Sequence, residues 1–195
     1  MADLSLFIVD AGPLITLAVA EALDTLLHVQ AAIIIPDAVF YEATRDVARL
    51  GASDILDWVA AHHRVVELAP TRTFQVFDAA RDTLPGLREP DLGERAAVEV
   101  IEQSGRLQGA ERAVLLCEET AVLRRVTVRD RARIVELSTL DFLRVLEAER
   151  RIQSAEELFR RAAEAGRMAS RVEKLASQDA ATREAVRRLV GERKG

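Results

Sequence analysis

The apolar run Leu4-Ser5-Leu6-Phe7-Ile8-Val9 ends on one carboxylate, Asp10, and passes through Gly12-Pro13 into a helical pattern. It predicts a buried strand that delivers an acid to a turn. Leu14, Ile15, Leu17, Ala18, Ala22, Leu23, Leu26 and Leu27 recur at helical spacing, so a helix is expected from about Gly12 to His28. Ala31 to Ile35 is a second short strand, and Pro36 opens a helix expected to run from Asp37 to about Arg49. Further helices are expected over 52–62, 73–83 and 91–104, with the breaker-rich Leu84-Pro85-Gly86-Leu87-Arg88-Glu89-Pro90 between the last two. Short strands are expected at 64–68, 113–117 and 133–137, and helices from Thr139 and Ala155. Strands and helices alternate throughout, which predicts a parallel sheet with right-handed crossovers and helices on both faces: a three-layer α/β/α sandwich.

Length and composition fit that architecture. The chain has 195 residues, 49% apolar and 30% charged, enough for one well-packed domain. Residues 1–150 are read as that domain. Residues 151–195 are read as a helical extension without strands, expected to pack on the domain, on a second copy or on a partner. The extension carries 11 basic against 7 acidic residues, whereas residues 1–150 carry 16 against 25. The larger part is therefore no basic nucleic-acid binder, and any phosphate contact there must be local or run through metal. One cysteine, Cys117, excludes an internal disulfide and fits a reducing compartment. No run reaches the length of a membrane span, and Met1-Ala2-Asp3 lacks the basic region of a signal peptide, so a cytoplasmic location is expected.

Four acidic positions fall where a parallel sheet gathers its chemistry. Asp10 ends the first strand, Glu42 lies in the helix after the second, Glu94 sits in the first turn of a helix, and Glu118-Glu119 follow the strand ending at Cys117. Strand ends and the following helix starts share one edge of such a sheet. Converging carboxylates repel unless a cation sits among them, and oxygen ligands of this kind suit Mg²⁺ or Mn²⁺. Each position also has a structural reading. Asp10 and Asp91 sit where helix caps belong, Asp91 and Glu94 have capping-box spacing, and Glu42 and Glu118-Glu119 can be ordinary solvated or dipole-compensating acids. His28, His62 and His63 form no zinc pattern, and no glycine-rich phosphate loop is present.

With these positions in hand, the chain resembles the PIN-domain family of metal-dependent nucleases, in particular its VapC-like branch. The resemblance rests on Val9-Asp10-Ala11-Gly12-Pro13-Leu14-Ile15, on Ile35-Pro36-Asp37-Ala38-Val39-Phe40-Tyr41-Glu42, on Gly93-Glu94-Arg95-Ala96-Ala97, and on Leu115-Leu116-Cys117-Glu118-Glu119 followed by Arg124. It covers about residues 6 to 145. The resemblance implies a ribonuclease that hydrolyses RNA phosphodiesters with Mg²⁺ or Mn²⁺ held by Asp10, Glu42, Glu94 and Glu118, and Glu119 as a further ligand or outer acid. It also implies a toxin paired with an antitoxin. Relatives carry an Asp pair where this chain has Glu118-Glu119, and the extra methylene bears on activity more than on fold. Arg124 and Arg125 are the expected substrate contacts, within an arginine-rich stretch that includes Arg129, Arg131 and Arg133. Ser138 and Thr139 are expected at a helix cap near the site edge, and Cys117 as a small buried hydrophobe rather than a nucleophile. The helical extension leads us to expect a homodimer. The alternative to a nuclease is a non-catalytic PIN-fold module acting through protein or nucleic-acid contacts; a phosphomonoesterase is a weaker third.

Overall fold

The computed structural model describes residues 4–84, 86–103, 112–118 and 133–190. Five parallel strands, β1 (Leu4–Val9), β2 (Ala32–Pro36), β3 (Val66–Ala69), β4 (Arg112–Leu116) and β5 (Ile134–Leu137), form one sheet in the order β3-β2-β1-β4-β5. β1 lies in the middle, in register with β2 through Phe7 and Ile33 and with β4 through Phe7 and Val114. The chain winds from β1 outward to β3, then crosses back to add β4 on the other side. That reversal makes a topological switch point between β1 and β4, and the crevice beyond their carboxyl ends is where open α/β sheets bind ligands.

Period-two alternation sorts the strands between two cores, although each reads as continuously apolar. Phe7, Val9, Ile33, Ile35, Val114 and Leu116 face one side, and Leu6, Ile8, Ile34, Ala113 and Leu115 face the other. The first side is covered by α1 (Ala11–Val19), α3 (Ala52–Ala61), α6 (Thr139–Ala148), α7 (Ala155–Glu164) and α8 (Ala180–Leu189). The second is covered by α5 (Leu92–Gln103) through Ala97, Val100 and Ile101. A third small cluster of Ala38, Phe77, Leu92 and Ala96 locks α2 (Asp37–Thr44) and α4 (Arg72–Thr83) onto α5. Burial on both faces explains why the strands carry so few polar residues. The expected three-layer α/β/α sandwich is the fold.

Two expected helices are shorter. The pattern over 12–28 resolves into α1 and a separate 3-10 segment, Leu23–His28, divided at Glu21, whose φ is +55°. The 3-10 turn still repeats apolar residues three apart, so it imitates a continuing helix. α2 stops at Thr44, whose hydroxyl donates to the Phe40 carbonyl at 2.6 Å. Asp46 then accepts from the Ala48 amide at 3.2 Å, a local turn that competes with helix.

Residues of the extension share the main core. Ala155, Phe159, Ala162, Val186, Leu189 and Val190 are buried with α1 and α6, α7 packs on both of those helices, and the Leu189 carbonyl accepts from the Gln30 amide at 2.8 Å. The apolar stripe of α7 is thus covered within the chain. Among the described residues no helix is long and apolar enough to cross a membrane.

Candidate acid site at the carboxyl edge of the sheet

Asp10 stands at the N-cap position of α1 with extended backbone angles, yet its side chain makes no cap hydrogen bond. Its amide donates to the Leu116 carbonyl at 3.0 Å, which fixes Asp10 beside Cys117 at the switch point. The capping alternative is thereby removed for this acid. Across the crevice, Glu118 follows β4 and is buried at 8% exposure. Gly12 brings the first turn of α1 against it: a Cβ at position 12 would lie 3.3 Å from Glu118 Oε2.

Both oxygens of Glu118 are already engaged. Oε1 accepts from Thr16 Oγ1 at 2.6 Å and from Thr139 Oγ1 at 3.1 Å, and Oε2 accepts from Arg167 Nη2 at 3.0 Å. Arg167 also donates to Thr16 Oγ1 at 3.2 Å and to the Gly12 carbonyl at 3.4 Å. An arginine from the extension therefore sits at the acid edge as its counter-ion.

A second cation comes from the same segment. Lys174 is 6% exposed; its Nζ donates to the Cys117 carbonyl at 3.1 Å, contacts Cys117 Sγ at 3.2 Å and lies 3.6 Å from Glu136. Burial pushes the Cys117 thiol up to about 12 although the Lys174 charge pulls the other way. Cys117 is therefore a neutral buried thiol and no nucleophile.

Glu42 and Glu94 both lie at the start of α5. Glu42 Oε1 accepts from the Gly93 amide at 3.0 Å, so an acid on α2 satisfies one of the free N–H groups at the α5 terminus. Gly93 lets Glu42 lie this close: a Cβ there would come within 2.6 Å of Glu42 Oε2 and 3.1 Å of Val39 Cγ2, so the Glu42 carboxylate would have to shift. Burial raises the Glu42 pKa, with the Gly93 amide and Arg45 acting against it. Asp91, with φ at +59°, lacks the extended conformation of an N-cap. Glu94 lies in the first turn of α5.

A cleft of about 470 Å³ opens on this side. It runs from Ala11, next to Asp10, over Tyr41, Glu42, Arg45 and Arg49 to Arg88 and Leu92. Tyr41 carries two guanidinium groups over its ring, Arg45 at 5.7 Å and Arg81 at 5.0 Å. The charge of Glu89 is matched by an ion pair with Arg95.

The sequence-read acids thus divide into Asp10 and Glu118 at the switch point and Glu42 and Glu94 at the α5 start. Among the described residues no three His, Cys, Asp or Glu side chains come together as a metal-binding group. With both Glu118 oxygens committed, one of them to a cation, the donor set as arranged does not fit Mg²⁺ or Mn²⁺. Glu119, Arg124, Arg125, Arg129 and Arg131 lie outside the described residues. Ser138 caps α6 in a capping box with Asp141, and Thr139 reaches the site through Glu118, so both stand where the sequence put them. Arg167, Lys174 and Thr16 were not legible as site residues. The only signal was that Lys174 is one of two lysines among 27 basic residues.

A family model described as a PIN domain matches residues 6–171. No curated protein and no solved structure matches the chain.

Proposed function

The chain belongs to the PIN-domain family, and from that premise we propose that it is a ribonuclease hydrolysing RNA phosphodiester bonds, a VapC-like toxin. The observation that supports this most is the cleft running from Ala11 to Arg88, in which Glu42 shares one groove with Arg45, Arg49 and Arg88. Guanidinium groups suit phosphate by paired hydrogen bonds. The acid set of this reading is Asp10, Glu42, Glu94 and Glu118, with Glu119 beside it and Arg124 and Arg125 as further substrate contacts. The family chemistry uses Mg²⁺ or Mn²⁺; the arrangement described would have to change at Glu118 to receive either.

Cleavage of single-stranded RNA with added Mg²⁺ or Mn²⁺, wild type against Asp10→Asn, tests the reading. A loss of roughly a hundredfold is expected, as for removal of one preorganised electrostatic group. Equal cleavage by both proteins removes Asp10 from the site. A second reading, a non-catalytic PIN-fold binding module, is favoured by the Arg167–Glu118 pair, and RNA binding without cleavage at any metal concentration would select it. An antitoxin and a homodimer are the partners of the toxin reading. Because the α7 stripe is covered internally, a dimer needs another apolar surface, such as the cleft of about 800 Å³ beside edge strand β3. A monomer in light scattering would count against it.

A further inference from the structure

Residues 166–175 are fastened at both ends and carry their two cations inward. At the first end, α7 closes in a Schellman arrangement: the Gly166 amide donates to the Ala163 carbonyl at 3.0 Å and the Arg167 amide to Ala162 at 2.8 Å. Gly166 has φ at +92°, a conformation glycine alone adopts cheaply. This turn aims Arg167 from a helix anchored in the core by Phe159 and Ala162. At the second end, Asp141 Oδ2 accepts from the Lys174 and Leu175 amides at 2.6 and 3.0 Å, and Asp141 is itself buried in the α6 capping box. Between the fastenings the outer face of the segment is exposed: Met168 is 86% exposed and Val172 43%.

We propose that residues 166–175 form an intramolecular strap that holds the acid edge shut, with the Arg167 guanidinium on Glu118 Oε2 competing directly with a divalent cation for that carboxylate. This rests on the proposed nuclease reading for its purpose, but not for its chemistry. Glu118 Oε1 already accepts from two hydroxyls and Oε2 is paired with a guanidinium, so a metal approaching Oε2 competes with Arg167 for it. Opening begins with release of that ion pair together with the Gly12 and Thr16 contacts. Full opening also draws the Lys174 and Leu175 amides off Asp141 Oδ2 and the Lys174 ammonium off the Cys117 carbonyl.

Mn²⁺ titration by calorimetry tests the strap on wild type, Arg167→Met and Arg171→Met. Methionine at 167 keeps an aliphatic stem against α1 while removing the charge, and Glu118 retains both hydroxyl donors. Arg171, on the same segment, pairs with Glu156 instead and controls for general loss of positive charge. Arg167→Met is expected to bind Mn²⁺ at least about tenfold more tightly than wild type, a gain of about 1.4 kcal/mol, with Arg171→Met unchanged. No gain at position 167, or an equal gain at 171, overturns the proposal. Should Arg167→Met fail to fold, hydrogen exchange of the wild type decides: Mn²⁺ is expected to speed exchange of the Lys174 and Leu175 amides, and unchanged protection in saturating Mn²⁺ overturns the strap. Tighter Mn²⁺ binding by Arg167→Met without RNA cleavage by any of the proteins would leave the strap standing and remove the nuclease. Equal cleavage and equal Mn²⁺ affinity in wild type and Arg167→Met would do the reverse.

Discussion

Glu42 holds a position that costs stability when it is charged. Burial raises its pKa above the ordinary 4.5, so the folded state binds the proton more tightly than the unfolded chain. Its stabilising contribution is complete in acid below that value and is lost as pH rises through the folded pKa. Glu42→Gln is therefore expected to unfold at a higher temperature than wild type at about pH 7, the difference closing towards about pH 4, as thermal denaturation at the two pH values would show. The amide of glutamine keeps an acceptor for the Gly93 N–H. Burial shifts Cys117 in the same direction: with its thiol pushed up to about 12, the native protein is expected to resist alkylation at mildly alkaline pH, and to react once denatured.

Among the elements, α6 carries the most consequence per residue. Ser138 Oγ accepts from the Asp141 amide at 3.0 Å and donates to Asp141 Oδ2 at 2.8 Å, so Ser138→Ala is expected to cost about 1 kcal/mol in denaturant unfolding. Asp141→Ala is expected to cost more, because it also strips the acceptor from two backbone amides of the strap, each worth about 1 kcal/mol or more when left buried and unpaired. The Ser138 cap of this helix was plain in the sequence, as were β1, β4 and the breaker between α4 and α5, whereas its partner Asp141 was not singled out. Caps, breakers and apolar period are local features. The places of Asp10 at the end of β1 and of Glu42 in the helix after β2 were readable for the same reason, since both follow from the local order of elements. What escaped was everything depending on distant partners: Arg167 meets Glu118 across 49 positions and Lys174 meets Cys117 across 57. No local pattern marks an arginine that will be a counter-ion. The division of labour at the α5 start was hidden likewise, because Glu42 supplies from α2 what spacing assigned to Asp91.

For the molecule as a whole, the extension is structural as well as positional. Phe159, Val186, Leu189 and Val190 belong to the core that includes Phe7 and Phe142, and burying each large side chain contributes about 1.5 to 3 kcal/mol. Their sum approaches the net stability of an ordinary domain, about 5 to 15 kcal/mol. A chain ending at residue 150 is therefore expected to lose its cooperative thermal transition in near-ultraviolet circular dichroism. The expected boundary at residue 150 falls between α6 and α7, and packing continues across it.

The scarcity of lysine turns Lys174 into a built-in reporter. In a chain with two lysines, an amine-specific acetylating reagent has few places to act, and position 174 is shielded to 6% exposure. The extent of acetylation at that residue, read by peptide mass, therefore measures the fraction of molecules whose strap is lifted, without any substitution in the protein. Titrating RNA or Mn²⁺ against that single readout would follow the opening of the acid edge directly.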